Sequence, residues 1–135
     1  EIKTMNAVKP ILKLVSLHSL PHWVISSFNF QALLEVRAES PSSTLGYLLE
    51  QGPSESLSQC LVRAECQINL LNPDRLHIDD LLLTEETLPV FKNFDLPIHV
   101  WTVNSFERFD WLTKNEIEGV FTDDIRLFKS NGNAP

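Results

Sequence analysis

The chain has 135 residues, 43% of them hydrophobic and 21% charged, a composition that excludes a disordered tail and allows one domain with a real core. Lys and Arg number 11 against 18 Asp and Glu, a net charge of −7, and the scattered basic residues exclude a nucleic-acid footprint, which needs clustered cations to displace counterions. No apolar run approaches the roughly 20 residues that cross a bilayer, and no basic region followed by an apolar stretch opens the chain.

In chain order, short β-prone runs begin at Ile2 and recur at 24–27, 45–49, 67–71, 98–103 and 119–122. Their starts are spaced by roughly 21 or 22 residues, with one longer interval of about 31, which matches one strand, one helix and two short loops per repeat. Between them the apolar period changes to that of a helix. Pro10 falls inside the first such segment, where its missing N–H favours a kink or a late start. Asn29 is the predicted N-cap for Phe30, Leu33, Leu34, Arg37 and Ala38, and Ser54 for Leu57, Leu61 and Ala64. Gly52-Pro53-Ser54 and Asn72-Pro73-Asp74 read as short turns.

The longer interval, 72–84, carries His77, Asp79 and Asp80. They fit no strong metal-ligand spacing, and a solvated loop is expected. Thr84 precedes Glu85 and Glu86, which suit a helix N-terminus, and Leu88, Phe91 and Phe94 form its predicted buried stripe, with Pro89 inside. Ser105 caps a last predicted helix carrying Phe106, Phe109 and Leu112. The tail 130–135, which contains Gly132, is expected to fray. The whole predicts one β/α domain over 1–129 followed by a flexible tail.

Cys60 is placed on a helix and Cys66 at the entry to the 67–71 strand. No disulfide framework or zinc spacing surrounds them, so both are expected as buried free thiols. Free thiols suit a reducing compartment, hence the cytoplasm.

In parallel β/α folds the carboxyl ends of the strands converge on one face, and catalytic groups come from several distant places in sequence. That rule selects Glu1 and Lys3 from the first strand, Ser27 from the second, Trp101 and Asn104 from the fifth, and Thr122 and Asp123 from the sixth. Ser27, Asn104 and Asp123 are expected to fix loops by hydrogen bonding. The histidines are expected to be structural or exposed. His18 and His22 precede the second strand, His77 lies in the long interval, and His99 is interior to its strand.

Glu1-Ile2-Lys3, Ile25-Ser26-Ser27-Phe28, Val100-Trp101-Thr102-Val103-Asn104 and Gly119-Val120-Phe121-Thr122-Asp123 together resemble the C-terminal part of the glycerophosphodiester phosphodiesterase family. The resemblance implies an α/β, TIM-barrel-like fold in which this chain supplies strands three to eight of a (β/α)8 barrel; a complete barrel typically needs about 250 residues. It also implies an enzyme that hydrolyses glycerophosphodiesters to an alcohol and glycerol 3-phosphate with Mg2+ or Ca2+. Under it, Glu1 is a metal ligand, Lys3 contacts the substrate phosphate, and Trp101 and Phe28 wall the substrate.

Two departures accompany the likeness. The family's final motif continues with a proline where this chain has Asp124-Ile125. Its His-Arg-Gly and Glu-x-Asp strands, which carry the general acid and base histidines and further metal carboxylates, match nothing in the 135 residues, so no catalytic residue is assigned here. The chain starts at Glu1 rather than Met and is expected to be a fragment or a processed product, inactive by itself, that pairs with a missing N-terminal part or with another copy through its open strand edges. The expected partner is a small-molecule glycerophosphodiester, with no nucleic acid and no membrane span. A non-catalytic binding or assembly module descended from the barrel is the alternative, and an unrelated barrel phosphodiesterase or aldolase-like enzyme fits the rhythm but not the combined motifs.

Overall fold

A computed structural model of the chain describes residues 1–18 and 22–129. A 3-10 turn at Met5–Ala7 leads into α1 (Val8–Leu17). Then follow β1 (Ile25–Ser27), α2 (Phe30–Glu39), β2 (Leu45–Leu49), α3 (Leu57–Leu71), β3 (Arg75–Asp79), α4 (Leu88–Lys92), β4 (Ile98–Trp101), α5 (Phe106–Lys114), β5 (Gly119–Val120) and α6 (Arg126–Lys129). The strands form a five-stranded parallel sheet in the order β1-β2-β3-β4-β5, with helices alternating between them. Contacts group the chain into two compact units, Glu1–Leu76 and His77–Pro135. The expected fraying tail, 130–135, lies outside the described residues.

In the first unit, Ile2 does not start a regular strand, yet its N–H donates to the Ser26 carbonyl at 2.8 Å, so it runs beside β1 as a single paired residue. Ile25, Leu45 and Leu49 are buried along β1 and β2, and Ala32, Leu33 and Val36 of α2 are fully enclosed. The α2 cap is as predicted, with the Asn29 side chain accepting from the Ala32 N–H at 3.2 Å.

The predicted strand at 67–71 is instead the end of α3. Cys60, Ala64, Ile68 and Leu71 repeat at three- and four-residue intervals and are buried; one apolar stripe therefore runs the full length of the helix and overrides the local β preference of Gln67-Ile68-Asn69. The helix is closed at both ends. Its N-cap is Ser56 rather than Ser54, in a capping box with Gln59, and it stops at Asn72 in the left-handed region with φ 48°. Cys66 consequently lies on α3 and is exposed, while Cys60 is buried as expected; both are free.

In the second unit, the predicted solvated loop around His77 is the buried part of β3. His77 is only 4% exposed and Ile78 is fully buried. The charged ends of Arg75-Leu76-His77-Ile78-Asp79 conceal a short strand. Helix α4 begins at Leu88, not after Thr84, because Thr84 and Thr87 close a turn. The Thr84 N–H donates to Thr87 Oγ1 at 2.9 Å and the Thr87 hydroxyl donates to the Leu82 carbonyl at 2.6 Å. Pro89 sits in the first turn of α4, where its lack of an N–H is harmless. Ser105 caps α5 as predicted, though the short α6 follows it. Among the described residues no helix is long and apolar enough to cross a membrane.

Candidate functional site

The carboxyl end of β1 and the segment paired beside it carry the first cluster. The Glu1 carboxylate and Lys3 ammonium lie 3.5 Å apart, with side chains 36% and 78% exposed, while Ile2 between them is buried. Alternation along an extended segment puts residues 1 and 3 on one face and residue 2 on the other. Glu1, Ile2, Lys3, Phe28 and Asn29 line an open depression of about 470 Å³. Glu1, Lys3 and Phe28, three of the four residues that the resemblance assigns to metal and substrate, thus line one depression, while the fourth, Trp101, belongs to the second unit. Ser27 holds it, since its fully buried hydroxyl donates to the Ile2 carbonyl at 2.5 Å and accepts from the Asn29 N–H at 2.9 Å.

Phe28, 44% exposed, also borders a second depression of about 650 Å³ with Tyr47, Glu50, Glu55 and Arg63 on its walls. Arg63 is clamped by Glu55 through Nε at 2.8 Å and Nη2 at 2.7 Å, and it donates to the Glu50 carbonyl at 2.8 Å. Those bonds, with that from the Gly52 N–H, pull the Glu55 carboxyl from 4.5 down to about 2. The Tyr47 hydroxyl bonds to Gln67 and accepts from Arg63; burial outweighs the guanidinium and pushes the phenol up to about 12. Burial likewise raises the Cys60 thiol. Sequence reading missed this network because Glu55 and Arg63, eight positions apart, match no motif; only the helix period that turns Arg63 and Gln67 to one side hinted at it.

The second unit holds the Trp101 group. The indole Nε1–H donates to the His77 carbonyl at 2.9 Å, the Asp80 N–H donates to the Trp101 carbonyl at 2.7 Å, and the Trp101–Thr102 peptide is cis. Asn104 binds its neighbours as expected. Its Oδ1 accepts from Thr122 Oγ1 at 3.1 Å and from the Asp123 N–H at 3.0 Å, while Nδ2 donates to Asp123 Oδ2 at 3.1 Å. On the same two strands, the His77 and His99 rings stack at 5.3 Å with Phe121 edge-on to both. Asp80 is held by Arg108 Nε at 2.6 Å, which commits that carboxylate to an ion pair.

A divalent metal needs several hard oxygen or imidazole donors around one point. Among the described residues no group of three or more His, Cys, Asp or Glu side chains could hold one. Glu1 offers a single carboxylate, so the residues present are one donor and not a metal site.

No curated protein sequence matches the chain. Among solved structures, an Oleispira antarctica phosphodiesterase in complex with the product sn-glycerol-3-phosphate superposes with a TM-score of 0.76 at 20% identity, covering 93% of this chain and 49% of the other. A Thermotoga maritima glycerophosphodiester phosphodiesterase gives 0.72 at 24% identity, covering 96% and 55%. One from Parabacteroides distasonis gives 0.70 at 18%, covering 95% and 54%. At these identities the likeness is one of fold, and the chain spans about half the length of these structures. The model of the glycerophosphoryl diester phosphodiesterase family matches residues 3–127, and with nearly the whole sequence inside that match, the chain belongs to this family.

Proposed function

We propose that this chain is the C-terminal part of a metal-dependent glycerophosphodiester phosphodiesterase, with residues 1–129 as one β/α domain of its barrel. The intact enzyme adds water to a glycerophosphodiester: a new P–O bond forms, the bond to the alcohol breaks, and the alcohol leaves with a proton while glycerol 3-phosphate remains. The observation that carries this reading is the Glu1–Lys3 pair beside Phe28 in one depression, in a chain of this family. The product named in the Oleispira antarctica complex has the chemistry expected here.

Lys3 binds the substrate phosphate as a point charge, and its exposed ammonium is free to swing from Glu1 to a phosphate oxygen. Phe28 supplies an apolar wall beside Lys3 in the first unit, and in the second unit Trp101, its ring fixed through Nε1, is the residue that the family resemblance assigns to the substrate. Glu1 is one ligand of Mg2+ or Ca2+, which when bound supplies Lewis-acid stabilisation of the phosphate; the other donors, and the general acid and base, come from outside these 135 residues. By itself the chain is inactive. Two free cysteines support a cytoplasmic setting.

The test is hydrolysis of glycerophosphocholine by the full-length protein containing this chain, with and without EDTA. Activity should vanish with EDTA, fall at least about 100-fold in Glu1→Gln, and show a KM raised about 10-fold or more in Lys3→Ala, as expected for losing a charge-assisted bond. Full activity in Glu1→Gln removes the metal role. A folded full-length protein with no hydrolysis in the presence of Mg2+ or Ca2+ means a non-catalytic module on this scaffold.

A further inference from the structure

We infer that the chain carries an oxyanion-binding site at the amino ends of β1, β2 and β3, away from the strand ends that bear Phe28 and Glu50, and that its ligand is a phosphate group. The site is a depression of about 480 Å³ walled by His22, Trp23, Val24, Ser42, Thr44 and Arg75. Backbone bonds hold the three strand starts side by side. The Ile25 N–H donates to the Thr44 carbonyl at 2.9 Å, and the Asp74 N–H donates to the Leu45 carbonyl at 3.0 Å.

Arg75 supplies the charge. Its Nε is buried without a hydrogen-bond partner, and no ion pair reaches its guanidinium among the described residues. The carboxylate beside it in sequence does not neutralise it, because Asp74 Oδ2 accepts from Arg37 Nη2 at 3.0 Å and from the Leu45 N–H at 2.7 Å. With no carboxylate to neutralise it, the guanidinium that walls the depression is a standing positive charge and favours an anion there. The other polar groups around it are equally uncommitted. The hydroxyls of Ser42 and Thr44, the His22 ring and the Trp23 indole N–H make no hydrogen bond among the described residues.

The acid distribution agrees. In a chain of net charge −7, no carboxylate lines this depression, whereas four others of similar size each contain at least one: Glu50, Glu39, Glu1 and Glu116 among them. A permanently charged planar fork, two hydroxyl donors and two ring N–H groups together match an anion with three or four acceptor oxygens, rather than a carboxylate with two. Phosphate fits that count, either as the free ion or as a small monoester.

The site does not depend on the proposed hydrolysis and is tested by binding. The 15N-labelled full-length protein containing this chain is titrated with inorganic phosphate and, separately, with glycerol 3-phosphate, at ionic strength held constant with chloride. Saturable shifts at the amides of Val24, Thr44 and Arg75 are expected, with affinity at least about tenfold weaker in Arg75→Gln. Saturation by both ligands assigns the site to the phosphate group itself, and saturation by the ester alone assigns it to monoesters; either supports it. Should Arg75→Gln fail to fold, Thr44→Val is expected to weaken binding several-fold. Shifts that grow without saturating, or an affinity unchanged in a folded variant of either kind, overturn the site.

Discussion

Ser27 donates its hydroxyl hydrogen to the carbonyl of Ile2 at 2.5 Å, a contact across 25 positions of sequence, and through it the residues flanking Ile2 are tied to the end of β1. The same oxygen accepts from the Asn29 N–H at 2.9 Å, so one buried atom serves two backbone groups. Glu1 and Lys3 keep their place beside Phe28 because of a residue that touches none of their charged atoms.

Replacing Ser27 with Ala leaves the Ile2 carbonyl and the Asn29 N–H without that partner, in a site where the native side chain is fully buried. The cost of unmade buried hydrogen bonds is about 1–3 kcal/mol. The midpoint of urea unfolding should move down accordingly, with the slope unchanged. An unaltered midpoint would show that the bridge contributes nothing and that Ile2 is held by its N–H bond to Ser26 alone.

The elements with strong local chemistry were legible from sequence. Asn29 and Ser105 cap the helices they were expected to cap, and the polar residues Ser27, Asn104 and Asp123 tie loops as their short side chains suggest. The segment 67–71 is ambiguous in sequence because Ile68, Leu70 and Leu71 suit a strand as well as a helix; only the stripe from Cys60 through Ala64 decides between them, and that is a matter of tertiary burial. His77 is hidden for the opposite reason. A strand bounded by Arg75 and Asp79 looks like a loop until its middle is seen to be enclosed. The Arg63 network and the Arg75 depression were invisible because each joins residues from separate elements, with no spacing rule to connect them.

Gly119 opens β5 directly against His99. A Cβ built there would lie 3.0 Å from His99 Cδ2 and 3.2 Å from Nε2. The imidazole has little room to retreat, being stacked on His77 at 5.3 Å and flanked edge-on by Phe121 at 6.1 Å. Gly119→Ala reduces the freedom of the unfolded chain, worth at most about 1 kcal/mol in its favour, whereas overpacking costs about 1–3 kcal/mol. Net destabilisation is expected, and the upfield shifts of the His99 ring protons, a signature of stacking, should change with it. A variant as stable as the parent, with those shifts retained, would mean the ring stack yields freely.

The Tyr47–Arg63–Glu55 cluster should give the chain a stability that declines at both ends of the pH scale. Glu55 has its carboxyl lowered from 4.5 to about 2, first by its bonds from Arg63 and next by the Gly52 N–H. A depressed acid stabilises the fold fully above its unfolded value, so this contribution is complete above about pH 4.5 and lost as the pH falls towards about 2. Tyr47 behaves in the reverse sense. Burial raises its phenol from 10.0 to about 12, so the unfolded chain releases that proton first and stability drops between pH 10 and about 12. Because Arg63 and Glu55 are 35% and 18% exposed, Glu55→Gln is expected to cost only about 1–2 kcal/mol at pH 7. Other acids titrate in the same window, so the informative quantity is the difference between parent and variant. For Glu55→Gln that difference should shrink steadily from pH 4.5 downwards, and for Tyr47→Phe the loss between pH 10 and about 12 should be smaller than in the parent, with the part due to the buried Cys60 thiol remaining; a Glu55→Gln difference that stays constant down to pH 2 would mean that the Arg63 clamp does not hold the carboxylate in its charged form.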